Sequence, residues 1–325
     1  MKKLLVICGP TATGKTRLAL DLAKTFGGEL LSADSRQVYR KMDIGTGKDL
    51  PVNSKLQIPN YKLGRNIGYY EIKGIRLWGY DLVDPKDEFS VSKYLKSAQL
   101  ILKDIWKRGK LPILVGGTGL YIKSVVDGIP TISVPTSPSL RLSLAKKNVE
   151  ELFEILAQFD ALKAASMNSS DKKNPRRLLR AIEVAQWRLS QKPGMLLKRK
   201  SDMNTLFVGL NAPFVVLEQK ILLRIKKRIT QGFGEEVTNL LSRGVNWNHQ
   251  SMDSLGYRQW KEYIIGKKTI EKVIQEWFTD EKNYAKRQIT WFKKNKRIIW
   301  FDVSKESWKK DIENTVRRWH NNNAE

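Results

Sequence analysis

The feature that most constrains this chain is an apolar run, Leu4-Leu5-Val6-Ile7-Cys8, leading directly into Gly9-Pro10-Thr11-Ala12-Thr13-Gly14-Lys15-Thr16. A short continuous apolar stretch bounded by Gly-Pro predicts a strand buried on both faces of a parallel sheet. The residues after it satisfy G-x-x-x-x-G-K-[ST] at every position. From Arg17 to Phe26, Leu18, Ala19, Leu22, Ala23 and Phe26 recur at helical spacing. Strand, glycine loop and helix in this order predict a phosphate-binding loop, whose backbone N–H groups turn inward around an anion at the positive end of the helix dipole. In such a loop Lys15 reaches the outer phosphate oxygens and the Thr16 hydroxyl ligates Mg²⁺. A chance glycine turn would leave the flanking strand and helix without a reason.

Charge points the same way. The 325 residues carry 59 Lys+Arg against 33 Asp+Glu, a formal net charge of +26. Such an excess repels itself in a compact state unless an anion binds: nucleic acid, phosphates or membrane headgroups. A merely soluble basic protein is the competing explanation. Cys8 is the single cysteine and His249 and His320 are the only histidines, so intrachain disulfides and Cys–His zinc sites are excluded. The expected compartment is the reducing cytoplasm. The first apolar run is shorter than the roughly 7–15 residues of a secretion-signal core. No stretch approaches the roughly 20 apolar residues of a membrane span, so no membrane partner is expected.

Glu29 to Ala33 predicts a second strand, ending in Asp34-Ser35-Arg36-Gln37-Val38-Tyr39. Ligands of parallel sheets bind outside the carboxyl ends of the strands, which would put Asp34 in the crevice of the phosphate loop. A carboxylate there can hold Mg²⁺ through water or act as a general base, or simply cap a helix or turn. Phosphate-loop NTPases also carry an acidic residue at the end of a later strand. Here the strand Pro112 to Val115 runs instead into Gly116-Gly117-Thr118-Gly119-Leu120-Tyr121, leaving Asp81 and Asp84 as substitutes. Binding of a diphosphate for a reaction other than nucleotide hydrolysis is therefore favoured.

Together with Asp43-Ile44-Gly45-Thr46-Gly47-Lys48, these motifs closely resemble the tRNA dimethylallyltransferase (IPP transferase) family. The same ordered series continues in Asn174-Pro175-Arg176-Arg177-Leu178-Leu179-Arg180-Ala181-Ile182-Glu183-Val184, Gly256-Tyr257-Arg258-Gln259 and Ala285-Lys286-Arg287-Gln288-Ile289-Thr290-Trp291-Phe292. The resemblance implies a P-loop NTPase-like α/β fold, a parallel sheet flanked by helices, with an all-helical insertion. It implies transfer of a dimethylallyl group from dimethylallyl diphosphate to the exocyclic N6 amine of the adenosine immediately 3′ of the anticodon, in tRNAs reading codons that begin with U. By motif, Asp34 would be the base for the attacking amine, with Thr11 and Arg228 also catalytic. The loop Gly9, Pro10, Thr11, Ala12, Thr13, Gly14, Lys15 and Thr16 would hold the diphosphate with Arg228, and Thr16 the Mg²⁺ ion. Arg224, one helical turn before Arg228, would share its role. Contacts to tRNA would come from Asp34, Ser35, Arg36, Gln37 (reading the flipped adenine), Thr118, Arg176, Arg177, Leu178, Leu179, Arg180, Asp253, Ser254, Leu255, Gly256, Tyr257 and Arg258. The anticodon stem-loop and dimethylallyl diphosphate are thus the expected partners of a monomer.

The expected organisation is a core from 1–129 and 204–325, interrupted by a helical domain at 130–203 that closes over the RNA loop. Helices are expected over 89–108, 139–148, 149–158, 175–189, 221–229, 232–243, 255–265 and 269–292, and strands over 205–210 and 297–301. Basic residues cluster at 198–200, 224–228 and 293–297, the last among Trp277, Phe278, Tyr284, Trp291, Phe292 and Trp300. Aromatics interleaved with cations suit unpaired bases, which RNA-binding proteins splay out and stack, although several must pack the core.

Three departures stand out. The segment 49–76 is longer than the family's usual linker, and Asn66-Ile67-Gly68-Tyr69-Tyr70 predicts a hairpin turn. Leu77-Trp78-Gly79-Tyr80 replaces the paired histidines common there, and Asp253 stands where relatives can have a basic residue. With one cysteine, the zinc finger of eukaryotic members is excluded, so a bacterial-type enzyme is expected. Prenylation of free AMP, a small-molecule phosphotransferase and a non-enzymatic RNA-binding module are the competing functions. A basic face of this extent argues against the first, and the coupling of Lys15, Thr16, Asp34 and Arg228 against the last.

Overall fold

Leu4, Val6 and Cys8 face one side of the sheet and Leu5 and Ile7 the other, and all are fully buried in a computed structural model that describes residues 2–59, 63–64, 67–190 and 203–322. That two-sided burial is why the opening run lacks alternation. Burial also pushes the Cys8 thiol up to about 12, which leaves it an unreactive core residue. The chain divides into two compact units, Met1–Val126 with Ser201–Glu325, and Asp127–Lys200.

In the first unit, strand β1 (Lys2–Cys8), helix α1 (Lys15–Phe26) and strand β2 (Gly28–Ser32) are followed by the hairpin β3 (Tyr69–Ile72) and β4 (Ile75–Trp78). Helix α2 (Val91–Lys107), strand β5 (Leu111–Val115) and helix α3 (Gly119–Val126) complete its first half. The sheet order is β3-β4-β2-β5-β1 and then two later strands, β6 (Met203–Asn211) and β7 (Ile298–Asp302). The sheet is mixed, not wholly parallel as expected: every neighbour pairs in parallel except β3 and β4. The hairpin turn is also displaced from its expected place. Tyr69 and Tyr70 lie within β3, and the chain reverses at Lys73-Gly74, where φ is 52° and 76°. Positive φ at both central residues gives the turn a twist that matches a tight hairpin.

Helix α1 covers the sheet face bearing Leu5, Ile7, Leu30 and Ile113, as does a C-terminal helix that carries Ile312 and Val316. That helix lies outside the expected elements, although Trp308, Ile312, Val316 and Trp319 recur at helical spacing within an otherwise polar stretch. Helices α2 and α3 cover the opposite face with four helices from the second half of the chain, among them the segments bearing Ile221, Phe233, Tyr257 and Trp277. At the end of β5 Gly116 meets β2 so closely that a Cβ would lie 2.3 Å from the Ala33 carbonyl oxygen.

The second unit contains helices α4 (Pro138–Ser143), α5 (Val149–Phe159), α6 (Ala161–Ser166), α7 (Ser169–Lys172) and α8 (Pro175–Leu189) around Leu152, Leu156, Leu178 and Ile182. The helix expected over 139–148 ends at Ser143, because Asn148 is taken by the next helix. Its side chain accepts the Glu151 N–H while Glu151 returns a bond to the Asn148 N–H. Asn174-Pro175 opens α8, the asparagine accepting from the Arg177 N–H and the proline occupying the first turn. The chain then supplies α9 (Phe214–Thr230), α10 (Phe233–Ser242), α11 (Tyr257–Ile264), α12 (Ile270–Lys293) and α13 (Trp308–Asn321) to the first unit. Among the described residues, no helix is long and apolar enough to cross a membrane. Gly116→Ala is expected to force β5 away from β2 and destabilise the protein by about 1–3 kcal/mol, measurable by urea denaturation.

Candidate functional site

The loop between β1 and α1 forms one wall of a cavity of about 1010 Å³. Gly14 caps α1 in the left-handed conformation (φ 79°), and Ala12 also has positive φ (64°), which a non-glycine residue adopts only under constraint. Thr13 Oγ1 and Lys15 Nζ both donate to the Pro10 carbonyl, at 2.9 and 2.6 Å. Burial and then the charge of Arg224 lower the Lys15 pKa to about 8. A bound anion would reverse that pressure by favouring the ammonium.

Helix α9 supplies the facing wall. Arg224 Nη1 donates to Thr11 Oγ1 at 2.8 Å, and Arg228, one turn on, is buried beside Glu281 (3.5 Å) and the Trp277 ring (5.8 Å). Both guanidiniums lie against Gly47, where a Cβ would come within 2.6 Å of Arg228 Nη2 and 2.8 Å of Arg224 Nη2. Burial, then the Arg228 charge, lowers the Arg224 pKa. Two like charges and Lys15 thus line one partly desolvated space, an arrangement suited to a polyanion.

Asp34 enters the same cavity from the carboxyl end of β2. Its Oδ1 accepts the Arg36 N–H at 2.8 Å, so the turn-capping role and a place beside the phosphate loop coexist. Thr118 Oγ1 accepts the next N–H, that of Ser35, at 3.0 Å. Gln37 Oε1 accepts from Ser32 Oγ (2.9 Å) and its Nε2 donates to the Gly47 carbonyl (3.0 Å), which fixes its amide at the cavity wall. Tyr284 of α12 lines the cavity too, and burial, followed by the Asp34 charge, raises its pKa to about 12.

The segment 43–48 is held chiefly by Glu236, which no motif indicated. The Glu236 carboxylate accepts the N–H groups of Asp43 (2.7 Å), Ile44 (2.7 Å) and Gly45 (3.0 Å), and the Tyr257 hydroxyl (2.6 Å). Lys48 is fully buried, pairing with Asp81 and, at 2.6 Å, with Asp43. Glu281 accepts the Trp277 indole N–H at 2.8 Å. Glu236 lies about 190 residues from the backbone it holds and Glu281 lies 53 from Arg228, so only helical spacing from aromatics could have marked either.

Residues 37–295 match the IPP transferase family model, and residues 2–61 match that of isopentenyl transferase. The chain belongs to the IPP transferase family. It is 39% identical to the tRNA dimethylallyltransferase of Caldanaerobacter subterraneus subsp. tengcongensis over 311 residues, covering 93% of this chain and 92% of that one. The crystal structure of the tRNA isopentenylpyrophosphate transferase from Bacillus halodurans superposes with a TM-score of 0.68 at 30% identity, covering 98% of this chain and 97% of the other. A eukaryotic dimethylallyltransferase acting on tRNA shares the fold, with a TM-score of 0.73 at 22% identity over 98% and 78% of the two chains. The P-loop NTPase-like architecture expected from the sequence is thus the family's own.

Against this IPP transferase frame, the expected site residues do not share one environment. Thr11 to Thr16, Asp34 to Gln37, Asp253 to Leu255, Arg258 and Arg228 all line the cavity described above, with Arg224, Tyr284, Arg287 and Gln288. The side chains of Leu178 and Tyr257 are fully buried, so they shape their helices and present no surface to RNA. Arg180 donates to the Thr131 and Val134 carbonyls (both 2.8 Å) and pairs with Glu183, which makes it a brace of the helical unit. Trp277 and Phe292 are likewise core, whereas Trp291 keeps 42% of its surface exposed. The basic cluster at 198–200 and Asn66 lie outside the described residues. Asp81 does not substitute for a metal-binding acid, because it is sealed against Lys48 and Tyr70 away from the cavity lining. Asp84 also lies outside that lining, exposed, and accepts the Lys86 N–H at 3.0 Å. Among the described residues, no group of three or more His, Cys, Asp or Glu gathers to hold a metal. A cation here would need Thr16 and oxygens of the ligand itself.

Because Lys15 loses its charge near pH 8, anion affinity is expected to fall as pH rises from 7 to 9. Calorimetric titration with inorganic diphosphate checks this, comparing the protein with Lys15→Met so that titration of the ligand cancels. The same lowered pKa means the unfolded chain binds more protons between about 8 and 10.5, so Lys15 adds stability as pH rises through that window.

Proposed function

We propose that the protein transfers a dimethylallyl group from dimethylallyl diphosphate to N6 of the adenosine 3′ of the anticodon in tRNAs reading codons that begin with U. The observation that carries this reading is that Asp34 lines the same cavity as the phosphate loop and the Arg224–Arg228 pair. Leaving-group stabilisation and amine deprotonation both have a residue there. Membership in a family whose relatives are named tRNA dimethylallyltransferases supports the choice of substrates.

The adenine amine is a weak nucleophile because its lone pair is delocalised into the ring. Asp34 accepts a hydrogen bond from that amine and takes its proton as the new N–C bond forms. Lys15, Arg224, Arg228 and the loop amides hold the diphosphate as the C–O bond breaks and charge develops on its oxygen. Gln37, fixed by Ser32 and Gly47, reads the edge of the adenine, which must leave the base stack to enter the cavity. Mg²⁺ fits beside Thr16, since this ion keeps few protein ligands and takes the rest from phosphate and water. When bound it neutralises diphosphate charge. We further propose a cytoplasmic monomer that contacts the anticodon stem-loop through its basic surface.

Incubation with dimethylallyl diphosphate, Mg²⁺ and either tRNA or AMP, followed by nucleoside analysis, tests the assignment. Prenylated adenosine is expected in tRNA; its absence there, or its appearance only in AMP, would sink it. Asp34→Ala is expected to lose about 10²–10⁴ in turnover while retaining tRNA binding. The tRNA affinity itself should fall linearly in a log–log plot against salt, because phosphate contacts release counterions. A flat response would remove tRNA from the explanation of the +26 charge.

A further inference from the structure

We infer that Gln288 is a positioning residue for the diphosphate, its amide pinning the phosphate loop to the turn after β5. Gln288 Oε1 accepts the Thr11 N–H at 2.9 Å, and its Nε2 donates to the Gly117 carbonyl at 3.0 Å. The side chain is buried, 5% exposed, on the α12 face that also carries Trp277, Glu281 and Tyr284. Gly117 has the shape this contact requires, since a Cβ there would stand 2.1 Å from Gln288 Nε2.

The chemistry selects glutamine. Bridging an N–H and a carbonyl needs an acceptor and a donor on one neutral group, which a carboxylate, an ammonium or a guanidinium does not offer. An asparagine is one methylene shorter. The Thr11 N–H is committed to Gln288, so Gln288 contributes orientation of the loop. With that peptide fixed, Thr11 Oγ1 stands 2.8 Å from Arg224 Nη1 and faces the space assigned to the diphosphate. One amide therefore couples α12, the phosphate loop and the arginine wall of α9. This inference rests on the proposed function only in placing a diphosphate in the cavity.

Equilibrium binding of inorganic diphosphate in the presence of Mg²⁺ tests it whether or not prenyl transfer takes place, while prenylation of tRNA by the unaltered protein tests the function separately. Gln288→Met, which keeps the volume but leaves both partners unpaired, is expected to weaken binding about tenfold. Gln288→Ala and Gly117→Ala should do the same, and because both act on one contact, the double variant should be no weaker than either single one. In the full reaction KM for dimethylallyl diphosphate should rise while KM for tRNA stays within about twofold of the original. A residue that only supports the fold would lower the melting temperature and the active fraction and leave both KM values and diphosphate affinity in place. That result, or additive effects of the Gly117 and Gln288 changes, overturns the inference.

Discussion

Three cations crowded around one cavity are the constraint on which the rest of the structure depends. Lys15, Arg224 and Arg228 come from a loop and a helix about two hundred residues apart, yet burial and mutual repulsion lower the Lys15 and Arg224 pKa values. Left to themselves, like charges in a partly desolvated space would push apart. The fold holds them by packing their stems and anchoring their surroundings: Glu281 and Trp277 on Arg228, Thr11 on Arg224, and the Gly47 backbone against both guanidiniums. Such preorganised charge is most useful where negative charge develops on a leaving group.

The frame around these cations is itself polar and largely withdrawn from solvent, with Lys48, Asp81 and Gln288 buried and Glu236 half-buried. Glu236 gathers three consecutive backbone N–H groups and a tyrosine hydroxyl, Lys48 closes onto Asp81, and Gln288 bridges two loops. Each group is satisfied, which is the condition under which buried polar networks specify one arrangement. Helix α12 links them to the rim, since Trp277, Glu281, Tyr284 and Gln288 recur at intervals of three and four residues and face the cavity or its wall. The motif 43–48 is therefore structural: it carries Gly47 to the arginines and its carbonyl to Gln37.

Much of the fold was legible because local pattern and tertiary role coincide. The two-sided burial of β1 shows as an unbroken apolar run, and the apolar spacing over 149–158 and 175–189 matches α5 and α8 closely. Among what escaped, helix α13 carries Trp308, Ile312, Val316 and Trp319 at helical spacing, but they are spread through a stretch dominated by charged and polar residues. The β3–β4 hairpin turns at an unremarkable Lys-Gly pair.

For the site, the sequence by itself determined the phosphate loop, because its chemistry is carried by contiguous residues whose spacing is the structure. It also determined the surplus of positive charge that needs an anion. Only the tertiary structure decided which of the motif residues face the cavity. Leu178 and Tyr257 sit inside motifs yet point into cores, whereas Glu236, Glu281 and Gln288 reach partners more than fifty residues away and complete the walls. The physical reason is that a motif constrains backbone and spacing along one element. The direction of a side chain, and the partner that satisfies it, are set by the elements packed against it.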